Sequence, residues 1–115
     1  MNYGGFSKTG STRDQIAEMK KSYTDAGYYP TDTVRRLIFR LNNRTRDVSE
    51  KTIVNVAARS GVKPCVVSER KSPRMTFYSF DDIKKICKAA SERGILGQYR
   101  EEDISGVLGE ITDSF

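Results

Sequence analysis

The sequence predicts a mainly α domain with a small β element. Three observations carry this. Val34, Leu37, Ile38 and Leu41 repeat at i, i+3, i+4 and i+7, the spacing of one helix face. Ala57, Gly61, Val62 and Val67 have the spacing of two short helices joined by a glycine turn. Met75-Thr76-Phe77-Tyr78 is a short β-prone run between Pro73 and Ser79.

Taken in order, residues 1–11 are rich in Gly, Ser and Thr without periodicity and read as a flexible arm. Thr12-Arg13-Asp14-Gln15 has the form of a capping box. Ile16, Met19 and Tyr23 then stripe a helix over about 13–26, which Gly27 can end. Tyr28-Tyr29-Pro30 reads as an extended link, and Thr31 or Asp32 as the cap of the second helix. Ser49 or Thr52 can cap a third helix through Ser60, with Gly61 ending it. Pro64 suits a first helical turn, so a fourth helix is expected through about Arg70. Ser79 caps a fifth, with Asp81 and Asp82 at its positive end. A last helix over about 101–111 is expected to be weak, because Gly106 and Gly109 interrupt it. Tyr23, Tyr28, Tyr29, Phe77, Tyr78 and Phe80 are expected in the core of this Trp-free chain.

The 115 residues suit one small core, and 37% hydrophobic with 30% charged residues suits a globular chain. The absence of His excludes Ser-His-Asp and Cys-His catalysis and His-ligated zinc. Cys65 and Cys87 are too few for a Cys-only zinc site. Asp81/Asp82 and Glu101/Glu102 are accounted for as helix starts. No enzyme, no cofactor and no metal are therefore expected. No apolar run is long enough to span a bilayer and the opening residues lack a signal pattern, so a cytoplasmic location without membrane partners is expected.

The net charge of +5 is unevenly spread. Residues 35–51 carry Arg35, Arg36, Arg40, Arg44, Arg46 and Lys51 against Asp47 and Glu50. Residues 59–74 carry Arg59, Lys63, Arg70, Lys71 and Arg74 against Glu69. The end of the chain is acidic, with Glu101, Glu102, Asp103, Glu110 and Asp113 against Arg100. Two cationic blocks, mostly Arg, suit phosphates and guanine edges. A solvated helix face with internal ion pairs would have the same composition.

The segment 53–67 carries the most information. A small residue at Ala57, a turn at Gly61 and apolar Val56, Val62 and Val67 fit a DNA-reading helix-turn-helix, and fit a plain helical hairpin too. The run from Thr52 to Pro64, with its Thr-Ile start, Val-Ala pair and Gly-Val turn, resembles the opening of MerR-type winged helix-turn-helix proteins. The run Arg74-Met75-Thr76-Phe77-Tyr78-Ser79-Phe80-Asp81-Asp82-Ile83 resembles that family's wing strand and following helix. The resemblance covers about residues 52–94, and excisionases share much of it. It departs from the family at Ser68-Glu69-Arg70-Lys71, where an aromatic-rich stretch is usual, and in a shorter connection to the strand. After Gly94 there is no room for the family's long dimerisation helix and effector domain, so no small-molecule effector is expected.

The resemblance implies a winged helix-turn-helix at 49–94, between an N-terminal helical part (12–48) and an acidic C-terminal helix or tail (95–115). Residues 12–48 could hold a degenerate second winged unit, making an internal pseudo-dimer; a homodimer is the other arrangement. It further implies that a helix opening near Lys63 enters the major groove. Lys63, Cys65 and Ser68 would then reach base edges, and Arg59, Arg70, Lys71 and Arg74 phosphates. Arg35, Arg36, Arg40, Arg44 and Arg46 would extend the footprint or enter a minor groove. The expected function is double-stranded DNA binding, as a small transcriptional regulator or architectural accessory factor of phage or plasmid type. The alternative is a protein-interaction module, such as a phage-encoded inhibitor of a host protein.

Overall fold

The computed structural model describes residues 12–67 and 75–113, with side chains over 17–65 and 76–113. The elements are α1 (Thr12–Asp25), β1 (Tyr28–Pro30), α2 (Thr31–Leu41), α3 (Glu50–Arg59), β2 (Cys65–Val67), β3 (Met75–Ser79), α4 (Phe80–Glu92) and α5 (Glu101–Thr112). The three strands form one antiparallel sheet in the order β1-β3-β2.

Alternation along β3 divides the molecule into layers, because successive strand side chains point to opposite faces. Tyr78 joins the main hydrophobic cluster with residues of α2, α3, α4 and α5. Phe77 stacks on Tyr23 of α1, ring centroids 4.5 Å apart. The helix α1 therefore covers one face of the sheet and the remaining helices lie on the other. The cluster runs from Val34 to Ile111, so segments 12–48, 49–94 and 95–115 contribute to one core. Burying Leu37, Ile38, Ile53, Ile83, Ile86 and Ile104 completely is worth roughly 1.5–3 kcal/mol each.

The helix starts follow local chemistry. The Ser49 hydroxyl accepts from the Thr52 amide (3.1 Å) and opens α3, and the Ser79 hydroxyl accepts from the Asp82 amide (3.2 Å) and opens α4. At α2 the expected side-chain cap is not formed: Pro30 holds the cap position and Thr31 is the first helical residue. The Thr31 hydroxyl instead donates to the Thr76 carbonyl of β3 (3.2 Å). The ends of α2, α3 and α4 share one geometry. The amides of Arg44, Val62 and Ile95 reach back to the carbonyls of Phe39, Ala57 and Ala90 at 2.8, 3.0 and 2.9 Å. The preceding residue has positive φ in each case: Asn43 at 55°, Gly61 at 77° and Gly94 at 76°.

Two expectations need correction here. The chain after Gly61 does not form a helix through Arg70: residues 65–67 are β2, with Cys65 opposite Phe77, Val66 opposite Thr76 and Val67 opposite Met75. A small Ala, a left-handed Gly and a Val also make a helix-ending motif, and here Gly61 reverses α3 into extended chain. Lys63, before Pro64, is biased away from helical backbone. Cys65-Val66-Val67 then meets the open edge of β3, and cross-strand pairing outweighs the tolerance of a first helical turn for Pro. Likewise Tyr28-Tyr29-Pro30 is more than a link: it is β1, paired with Ser79, Tyr78 and Phe77.

Two further expectations are met in part. The helix α5 forms over its full length despite Gly106 and Gly109, because both glycines lie on the exposed side while Ile104, Leu108 and Ile111 are buried. Of the aromatic residues, Phe77 and Tyr78 are buried, Tyr23, Tyr29 and Phe80 half-buried, and Tyr28 is 39% exposed, outside the core.

Candidate nucleic-acid interface

The cations of the first block separate into bound and unbound sets. Arg35 of α2 donates from Nη1 to both carboxylate oxygens of Asp47, at 2.9 and 3.0 Å. Arg40 pairs with Glu110 of α5 at 3.1 Å. Arg46 donates to the Gly94 carbonyl at 2.7 Å. These three, expected to extend a DNA footprint, are tied to the protein itself, and the acidic C-terminal helix holds one of them. Arg36 and Arg44 are exposed with no ion-pair partner among the described residues.

The second block is placed only in part. Arg59 ends α3 and is exposed, as is Lys63 in the connection to β2. Cys65 is half-buried in β2, so a strand stands where a helix was expected to present it to a base edge. The helix that was to carry Lys63 and Cys65 is absent at these positions. Ser68, Arg70, Lys71 and Arg74 lie outside the described residues.

The exposed face of α3 was not singled out from the sequence. Its buried residues are Ile53, Val56 and Ala57. Opposite them stand Lys51, Asn55 and Arg59 at i, i+4 and i+8, with Val54 and Ala58 beside them, all exposed. Lys51, Arg59 and Lys63 have no ion-pair partner among the described residues. Glu50 lies in the first turn, at the positive end of the helix dipole. The four-residue spacing of Lys51, Asn55 and Arg59 was readable from sequence. The glycine-turn signal at Gly61 is the stronger one and points to the segment after α3.

Two loops fix how α3 is presented. The chain from Asn42 to Ser49 joins α2 to α3 and is held against the loop after α4. Asn42 donates from Nδ2 to the Ile95 carbonyl (3.1 Å) and accepts at Oδ1 from the Gly97 amide (2.8 Å). Arg46 adds its bond to Gly94 in the same place. The helices α3 and α4 also pack directly.

Among titratable groups the marked shifts are in the interior. Burial pushes the Cys87 thiol up to about 12 and raises the Tyr78 phenol, the latter partly opposed by the Thr31 hydroxyl. Tyr99 is raised by burial and, less, by negative charge at Cys87, Glu101 and Glu92. No cluster of three or more His, Cys, Asp or Glu suited to a metal occurs among the described residues. Nor is any described helix long and apolar enough to cross a membrane.

The fold is thus mainly helical with a small antiparallel sheet, and α3 presents an exposed cationic face. No protein-family model matches the chain, and neither a curated protein nor a solved structure matches it.

Proposed function

We propose that this protein binds double-stranded DNA through a winged helix-turn-helix in which α2 and α3 are the helix pair and α3 enters the major groove. The observation that carries this reading is the α3 face: Lys51, Asn55 and Arg59 in one exposed row, with exposed Lys63 in the connection that follows, these three cations having no ion-pair partner among the described residues. An unpaired cationic helix face matches the phosphates that flank a major groove. The element order supports the same reading. A helix, a strand, two helices and two strands follow one another, and the first strand pairs with the last. The connection between β2 and β3 carries Arg70, Lys71 and Arg74 in its sequence, where a wing would meet the backbone.

The reaction of such a site is association alone. Lys51, Arg59 and Lys63 would displace counterions from phosphates, and Asn55 would face base edges. A small transcriptional regulator or architectural accessory factor is the role that fits.

Fluorescence anisotropy with a mixed-sequence 24-base-pair duplex, titrated with salt, tests the reading. The three contacts from Lys51, Arg59 and Lys63 alone contribute about −2.7 to the log–log salt slope, any wing contacts adding to it, and Lys51→Ala, Arg59→Ala or Lys63→Ala each brings it about 0.9 closer to zero. Between 50 and 200 mM salt the affinity then falls by at least about 40-fold. Affinity that stays flat with salt, or that ignores all three substitutions, overturns the reading. In that case a protein-interaction module becomes the better description.

A further inference from the structure

Val54 lies toward one margin of the exposed α3 face, 43% exposed, in line with exposed Glu50 one turn before it and exposed Ala58 one turn after it. Beside Val54 is Asn55, a carboxamide that makes no hydrogen bond through its side chain among the described residues. Lys51 and Arg59 stand along one side of this small apolar strip and Lys63 follows in the connection after α3, all three without ion-pair partners among the described residues. An apolar protein surface would leave those cations desolvated and unpaired, at a cost in free energy. A polyanion carrying methyl groups fits the cationic row and the apolar strip beside it, with Glu50 confined to the first turn. The major groove of DNA supplies both: phosphates along its rim, and the thymine C5-methyl beside the N6 donor and N7 acceptor of adenine.

We infer that α3 reads A·T pairs, with Val54 and Ala58 against thymine methyl groups and Asn55 donating to N7 and accepting from N6 of adenine. This rests on the proposed duplex binding and assigns its base preference. It makes the face selective for DNA over duplexes that lack the methyl group.

The test uses three deoxy duplexes of 24 base pairs with the same number of phosphates: alternating A·T, alternating A·U and alternating G·C. The A·T duplex is expected to bind about fivefold more tightly than A·U and about tenfold more tightly than G·C. Val54→Ala brings A·T and A·U together while leaving the salt slope unchanged, and Asn55→Ala removes the preference over G·C. Lys51→Ala weakens all three duplexes equally. Because Val54 and Asn55 are exposed, circular dichroism melts of both variants should match the parent. Equal, salt-dependent binding to all three duplexes overturns the base preference and leaves duplex binding standing, whereas no binding to any overturns the underlying reading. Sedimentation showing a dimer that Val54→Asp dissociates also overturns the inference, since a second copy would then cover the strip.

Discussion

Replacing Asn42 should loosen the seat of α3 more than the substitution of one half-buried side chain suggests. Its carboxamide bridges two backbone groups of the loop after α4, donating to Ile95 at 3.1 Å and accepting from Gly97 at 2.8 Å. In Asn42→Ala both bonds are lost at once, and no other described side chain bonds to either group. At about 1 kcal/mol net per bond the loss is about 2 kcal/mol. For a chain of this length the unfolding entropy is about 0.24 kcal/mol per kelvin, so the melting temperature should fall by about 8 °C. Asn42→Asp keeps the acceptor toward Gly97 and loses the donor toward Ile95, so it should fall between the two. The assay is thermal and urea unfolding followed by circular dichroism, with matched m-values confirming a comparable transition. Asn43→Gly is the control. Asn43 sits at a φ of 55°, where glycine removes steric strain, so that variant should be no less stable than the parent. An Asn42→Ala protein within about 0.5 kcal/mol of the parent would refute the idea that this clamp fixes the α2–α3 connection.

Removing the α3 cap with Ser49→Ala should cost about 1 kcal/mol, and Ser49→Asp should restore most of it, as read by the same melts. A thiol reagent at pH 8 should modify half-buried Cys65 in the native protein, and buried Cys87 only after denaturant is added. Two rapidly reacting thiols in the native state would contradict the packing of α4. Stability should also decline in alkali. Because the folded pKa of Cys87 is raised from 9.0 to about 12, its contribution is complete below about pH 9 and is lost as pH rises toward 12. The raised phenol of Tyr78 adds to that decline from about pH 10, so Cys87→Ala should be flatter between pH 9 and 10.

Much of the helical part was legible along the chain. Val34, Leu37, Ile38 and Leu41 announce α2 because an amphipathic helix needs their spacing. Ser49 and Ser79 announce the starts of α3 and α4 because a hydroxyl there satisfies an amide that has no helical partner. The clustering of cations at 35–51 and 59–74 was equally visible, since charge is a local property.

Pairing was not local, and the tertiary structure decided it. Pro64-Cys65-Val66-Val67 is compatible with a helical turn or a strand, and the available edge of β3 makes it a strand. Tyr28-Tyr29-Pro30 becomes β1 for the same reason. Which arginines remain available also depended on neighbours distant in sequence: Glu110 occupies Arg40 and the Gly94 carbonyl occupies Arg46 across turns that no periodicity encodes. Hydrogen bonds and ion pairs between distant segments form only once the core has brought those segments together, so that α3 keeps an open cationic face is a property of the folded molecule and not of the string of residues.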